Sequence, residues 1–136
     1  MKNNPKDAKL IELLKKNSRA SNTELAREVG LSEGAVRQRI KSLIERGTIK
    51  RFTIETGSAG GNQAVVLVKA KGNTKRMMKQ LSGLIGVKHA YEISGSYDAC
   101  IIITADNMEN LDTNIDLIRS IPSVADTRTF ISLKEW

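Results

Sequence analysis

Arg37, Gln38 and Lys41 stand within little more than one helical turn of each other, behind the small pair Gly34-Ala35. A guanidinium and a carboxamide so placed can each form two parallel hydrogen bonds, the first to a guanine edge and the second to an adenine edge. The small pair lets a helix start come close to another surface, as a helix lying in a major groove must. Ser32 and Glu33 open the same segment, while Arg39 on its flank and Lys50 and Arg51 beyond it offer contacts for phosphate oxygens. All of these are candidates for contact with double-stranded DNA. Arg37, Gln38 and Lys41 suit base edges; Arg39, Lys50 and Arg51 suit phosphates. The competing reading is an amphipathic helix hairpin whose charged side is simply solvated.

Other chemistry finds little support. His89 is the only histidine and Cys100 the only cysteine, which excludes a histidine ligand cluster, a histidine-paired nucleophile and a disulfide framework. Cys100 sits inside Ala99-Cys-Ile-Ile-Ile103, the setting of a thiol held in a strand. There is no phosphate loop and no acid–base pair around a nucleophile, so catalytic and metal-binding residues are expected to be none.

The elements that must position the basic face are readable on either side of it. Asn22 or Ser21 can cap a short helix bearing Leu25, Ala26 and Val29 on one side. Gly30 ends it, Leu31 fills the corner, and Ser32 caps a second helix in which Val36, Ile40, Leu43 and Ile44 make an apolar stripe. Ahead of both, Pro5 and Asp7 open a helix carrying Leu10, Ile11, Leu13 and Leu14. Gly47 stops the third helix, and Ile49–Glu55 alternates as a strand does. Three helices followed by a strand predict a winged helix-turn-helix.

Charge divides the chain. Through Arg51 there are thirteen Lys/Arg against six Asp/Glu, a balance of +7, and the remainder holds nine of each. The whole net charge of +7 therefore belongs to the N-terminal part, which implies a division of labour rather than general affinity for polyanions. Gly57–Asn62 holds three glycines and no large apolar residue, so a hinge is expected there. Two domains follow: 1–56, with the helix-turn-helix and its linking strand, and 63–136. No apolar run reaches the ~18 residues of a membrane span and the N-terminus has no secretory pattern, so a cytoplasmic, nucleoid-associated protein is expected.

Beyond the hinge the order is strand, helix, strand, twice over. Gln63–Ala70, Val87–Ser94, Ala99–Ala105 and Val124–Leu133 read as strands. Met77, Met78, Leu81, Leu84 and Ile85 mark one helix, and Leu111, Ile115, Ile118 and Ile121 another, capped by Asp106 or Asn107. This βαββαβ order predicts an α+β ferredoxin-like sheet with both helices on one face. Its other face is expected to meet a partner subunit, because a chain of this size cannot cover both.

Glu24-Leu-Ala-Arg-Glu-Val-Gly-Leu-Ser32, Val36-Arg-Gln-Arg-Ile-Lys-Ser-Leu-Ile-Glu-Arg-Gly47, the hinge, and a sheet domain with Gly95-Ser-Tyr-Asp98 together resemble the Lrp/AsnC (leucine-responsive, feast/famine) transcription regulators of bacteria and archaea. The likeness covers essentially the whole chain and is nearest to the short archaeal members. It implies homodimers joined through the sheet domains, assembly into octamers or other multimers, and an amino-acid effector bound between dimers. By that resemblance Gly95, Ser96, Tyr97 and Asp98 would contact the effector, with Thr127 and Thr129 beside it. Ser96 stands at a variable position, and glutamine or lysine is the expected effector. A zwitterion needs donors for its carboxylate and an acceptor for its ammonium; loop amides, Asp98 and the threonine hydroxyls can supply them. The plainer reading of the loop is a tight turn, with Asp98 as a cap and Tyr97 as packing. The expected function is an effector-tuned, sequence-specific DNA-binding regulator. The alternative is an architectural, chromatin-like DNA protein without an effector.

Overall fold

The computed structural model describes residues 4–56 and 61–136. Two compact units, Met1–Glu55 and Thr56–Trp136, are each built around a core of their own.

The N-terminal unit has three helices, α1 (Pro5–Lys16), α2 (Asn22–Val29) and α3 (Glu33–Glu45). Asn4 caps α1 by accepting from the Lys6 amide. Of the two possible caps for α2, Ser21 is used. Its hydroxyl accepts from Glu24 N at 3.1 Å while the Glu24 carboxylate accepts from Ser21 N at 2.8 Å, so two orphan amides are satisfied reciprocally. Gly30 turns the corner at φ +66°, a left-handed conformation in which a Cβ would be strained. Ser32 then caps α3, accepting from Ala35 N at 3.2 Å. Leu10, Leu14, Leu25, Ala26, Val29 and Val36 close the core, flanked by Leu31, Ile40 and Ile49. Leu43 is buried as well, but Ile44, expected on the same stripe, is 46% exposed. It turns off the seam toward the end of α3.

The strand expected over Ile49–Glu55 is not formed. Ile49 N donates to Leu43 O at 3.0 Å and its side chain packs on the helices, after which the chain runs without a ladder. The physical reason is the lack of a partner: the unit holds only helices among its described residues, and a strand is stabilised by its neighbour. Phe52 and Ile54 are left 50% and 78% exposed. Of the expected hinge, residues 57–60 lie outside the described ones, and Asn62 already pairs with Ala105.

The C-terminal unit runs β1 (Asn62–Ala70), α4 (Thr74–Ser82), β2 (Val87–Glu92), β3 (Ala99–Ala105), α5 (Met108–Arg119) and β4 (Val124–Ile131). The sheet order is β2-β3-β1-β4 with every pairing antiparallel, which is the ferredoxin-like arrangement expected. Asn107 rather than Asp106 caps α5. Helix α4 stops at Ser82, so Leu84 and Ile85 lie in the following turn, and Ile85 is exposed. Met77 and Leu81 of α4 and Leu111, Ile115 and Ile118 of α5 bury against Ala64, Val66, Val68, Ile101 and Ile103 of one sheet face.

The register fixes which side chains share each face. Val68 opposes Thr127 and Val66 opposes Thr129, so both threonines lie on the helix-covered side. Leu67 opposes Arg128 and Cys100, and Val65 opposes Phe130 and Ile102, all on the open side. Tyr91 and His89 stack on that side with ring centroids 5.9 Å apart. The open face is thus largely apolar, with Tyr91 and Phe130 about half exposed.

Candidate functional site

The outward face of α3 is the most distinctive surface of the N-terminal unit. Glu33, Gly34, Arg37, Gln38 and Lys41 are exposed, while Val36, a half-turn away, is wholly buried. A Cβ built on Gly34 would meet nothing within 4 Å. The domain's own packing therefore does not require a glycine there. Arg37 Nη2 donates to Glu33 Oε1 at 3.0 Å, and Thr23 Oγ1 donates to Glu33 Oε2 at 3.3 Å. Glu33 consequently braces the first turn of α3 against α2 and holds the Arg37 guanidinium along the helix. Lys41 lies 3.9 Å from Glu45, a loose contact that leaves the ammonium free to turn outward.

The basic residues separate into two groups. Lys50 and Arg51 are exposed and join no ion pair among the described residues. Arg39, expected at phosphate, points inward instead: its Nη1 donates to Asp7 Oδ1 at 2.9 Å and it is only 31% exposed. Arg46 Nη2 donates to Asp7 Oδ2 at 3.2 Å. One carboxylate of α1 thus ties down two guanidinium groups, from α3 and the residue that caps it. The pairing escaped the sequence reading because Asp7 and Arg39 are thirty-two residues apart, beyond any local pattern. A depression of about 690 Å³ lies between the C-terminal half of α1 and residues 48–55, lined in part by Ile11, Lys15, Arg19, Lys50 and Phe52.

In the C-terminal unit the 93–98 loop sits where β1 ends. Gly95 has φ +134°, a backbone open to glycine and few other residues. Asp98 N donates to Val68 O at 2.9 Å, and Asp98 O accepts from Ile93 N at 2.9 Å. Its carboxylate accepts from Ala70 N at 2.7 Å, capping the end of the strand. One carboxylate oxygen is therefore committed within the chain. Ser96 is exposed and Tyr97 half-buried. Thr129 Oγ1 is shut from solvent and has no hydrogen-bond partner among the described residues, a state that costs about 1–3 kcal/mol when nothing relieves it.

At the same end of the sheet, Lys71 N donates to Ser123 O at 2.7 Å and Ser123 Oγ to Gln80 Oε1 at 2.6 Å. A depression of about 260 Å³ opens there, lined by Lys71, Asn73, Arg76, Gln80, Pro122 and Ser123. It contains none of Gly95, Ser96, Tyr97, Asp98, Thr127 or Thr129, and the sequence reading had singled out none of its charged residues. No helix among the described residues is long and apolar enough to cross a membrane.

Comparison with known proteins agrees with this layout. Residues 3–50 match the winged helix-turn-helix DNA-binding family, and residues 63–136 match the Lrp/AsnC ligand binding domain. The HTH-type transcriptional regulator LysM of Saccharolobus solfataricus is 39% identical over 132 residues, covering 96% of this chain and 93% of LysM. The solved structure of B. subtilis LrpC superposes with a TM-score of 0.79 at 28% identity, over 100% of this chain and 98% of LrpC. The regulator NMB0573 of Neisseria meningitidis, solved as a complex with L-Met, shares the fold at a TM-score of 0.81 and 21% identity, over 98% and 91% of the two chains. With a DNA-binding helix-turn-helix in front, a ligand binding domain behind, and relatives matched along nearly their whole length, the chain is a DNA-binding transcription regulator of the Lrp/AsnC family.

Proposed function

We propose that this regulator reads specific sequences through α3, that its C-terminal unit joins copies of the chain, and that an amino acid bound to that unit tunes the assembly or its grip on DNA in the cytoplasm. The observation that carries the DNA half is the bare, exposed start of α3. Gly34 leaves room there for a foreign surface, Arg37 is braced by Glu33, and Gln38 and Lys41 stand exposed beside it, Lys41 only loosely held by Glu45. Arg37, Gln38 and Lys41 then read base edges in the major groove, while Ser32, Lys50 and Arg51 meet the backbone. Arg39 is left out of this set, since Asp7 holds it. Bivalent binding by a dimer places two such helices roughly 34 Å or a multiple apart on a pseudo-palindromic site.

The effector half draws support from the ligand binding domain itself, from Gly95 and its free loop amides, and from the unpartnered hydroxyl of Thr129. Asp98 has one oxygen left for an ammonium group. Glutamine and lysine head the amino acids to test.

The test has two arms. Arg37→Ala should lower affinity for the selected site by about 1–3 kcal/mol and relax preference at one base position. Lys50→Ala should weaken all sequences alike and flatten the log–log salt dependence by about one unit. Identical behaviour of both variants on selected and random duplexes would overturn the assignment. In the second arm, calorimetry with each of the common amino acids should find one that binds wild type and fails to bind Thr129→Val. Silence from all of them would leave a DNA-binding protein without an amino-acid effector.

A further inference from the structure

Three segments of the C-terminal unit meet where β1 ends: Lys71 and Asn73 of the β1–α4 connection, Arg76 and Gln80 of α4, and Pro122 and Ser123 ahead of β4. Asn73, Arg76 and Gln80 stand three and four apart, so they share one side of the helix. Hydrogen bonds inside this cluster engage its side-chain carbonyl oxygens. Asn73 Oδ1 accepts from Arg76 N at 3.1 Å, and Gln80 Oε1 accepts from Ser123 Oγ at 2.6 Å. Lys71 N donates to Ser123 O at 2.7 Å and ties the two connections together. What is left to line the recess of about 260 Å³ is a set of donors: the Lys71 ammonium, the Arg76 guanidinium and the amide NH₂ groups of Asn73 and Gln80. Ser123 Oγ is the one side-chain acceptor with capacity to spare. Neither cation joins an ion pair among the described residues. No Asp or Glu occurs between Glu55 and Glu92, and none lines the recess.

We infer that this recess is an anion site for the phosphate or diphosphate end of a small soluble metabolite, held by Lys71 and Arg76 and oriented by Asn73 and Gln80. Two cations on one small concavity repel each other until an anion lies between them, and charge-assisted bonds from a guanidinium fork and an ammonium to phosphate oxygens are the strong kind. Size sets how much of the metabolite enters. The volume falls short of the about 300–1,000 Å³ of pockets that bury a whole drug-sized ligand, so the recess takes the phosphoryl end and leaves the rest outside. An amino acid is the wrong chemistry, because its ammonium would meet two cations and find no carboxylate. None of the six residues proposed for the amino-acid effector lines the recess, so the two sites are separate within the chain. Duplex DNA is a poorer occupant as well. Beyond Arg51 the chain carries nine Lys/Arg and nine Asp/Glu, so this unit has no net charge with which to draw a polyanion.

Calorimetric titration of the full chain in phosphate-free buffer, with sodium pyrophosphate and separately with inorganic phosphate, tests this. Pyrophosphate should saturate one site per chain. Arg76→Gln and Lys71→Met should each weaken it at least about tenfold, through loss of charge-assisted hydrogen bonds. Circular dichroism melts of both variants without the anion should match wild type, since both side chains are exposed. Thr129→Val should bind pyrophosphate as wild type does, so a failure of the amino-acid site would not read as a failure here. Absence of saturable binding by either anion overturns the inference, as does binding that survives both substitutions. So does an amino acid that displaces pyrophosphate and is itself lost in Arg76→Gln, because the recess would then hold that amino acid's carboxylate. Weaker duplex binding by both variants with pyrophosphate binding unchanged would assign the two cations to DNA, and it too overturns the inference.

Discussion

Gly34 sits in the first turn of a helix, where glycine forgoes the stability that alanine would give. Nothing lies within 4 Å of where its Cβ would be, so the unit's own packing gives no reason for the choice. On the proposed reading the reason is outside: the DNA surface that α3 would approach. Gly34→Ala should therefore stabilise the free protein by about 0.5–1 kcal/mol, through a better helix and a less free unfolded chain. The same change should weaken binding to the selected duplex several-fold, since a methyl group would stand between helix and groove. Thermal unfolding and a binding titration on one preparation check both signs. A variant that is stabilised and binds as well as wild type would remove Gly34 from the interface. Glu33 illustrates a different residue-scale point. Both its oxygens are engaged, with Arg37 and with Thr23, so on the proposed reading it serves DNA binding through Arg37, and a direct contact by this acid would bring like charges together.

Among the elements, α1 and α3 are joined by apolar packing and by one carboxylate. Asp7 is only 16% exposed and accepts from Arg39 and Arg46. Asp7→Asn leaves two neighbouring guanidinium groups without a counter-charge, one of them largely covered. The expected loss is about 1–2 kcal/mol, discounted for partial exposure, or about a five- to thirty-fold change in opening. Native-state hydrogen exchange should show it at the amides of Leu10 and Leu14, with Ile101 and Ile103 in the other unit unmoved. Uniform acceleration across both units would mean that the pair does something other than hold α1. These elements also mark how far the sequence was legible. Capping residues, Gly30 and the apolar stripes placed all five helices, because each signal is local. The four strands of the sheet were equally visible from their branched runs. Ile49–Glu55 alternates yet forms no ladder within the chain, since alternation signals a chain able to pair but not the presence of a partner. Asp98 offered two readings, and its bond to the Ala70 amide became visible only when β1 and the loop were brought together. The ion pair of Arg39, a residue expected at phosphate, is hidden from the sequence for the same reason, its partner Asp7 lying in another helix.

At the scale of the whole molecule, the open sheet face is, on the proposed reading, the surface that sets how many helix-turn-helix units act together. Val65, Leu67, Cys100 and Ile102 occupy its centre and are half-covered, with Tyr91 and Phe130 standing exposed at the sides. Large apolar patches of this kind mark contact surfaces in soluble proteins, and a second copy supplies a matching patch by symmetry. Ile102→Glu puts a charge at the middle of the face while leaving the helix-covered core, built on Ile101 and Ile103, untouched. The variant should sediment as a monomer and still melt cooperatively. Its affinity for a duplex with two half-sites should fall by about a hundredfold or more, toward that for one half-site, because the second helix no longer binds as a tethered partner. A single half-site should be bound as well as by wild type, since α3 is unaltered. Retention of the wild-type mass by Ile102→Glu would show that the copies meet elsewhere, and equal weakening on one and two half-sites would show that the change had reached the DNA-binding unit itself.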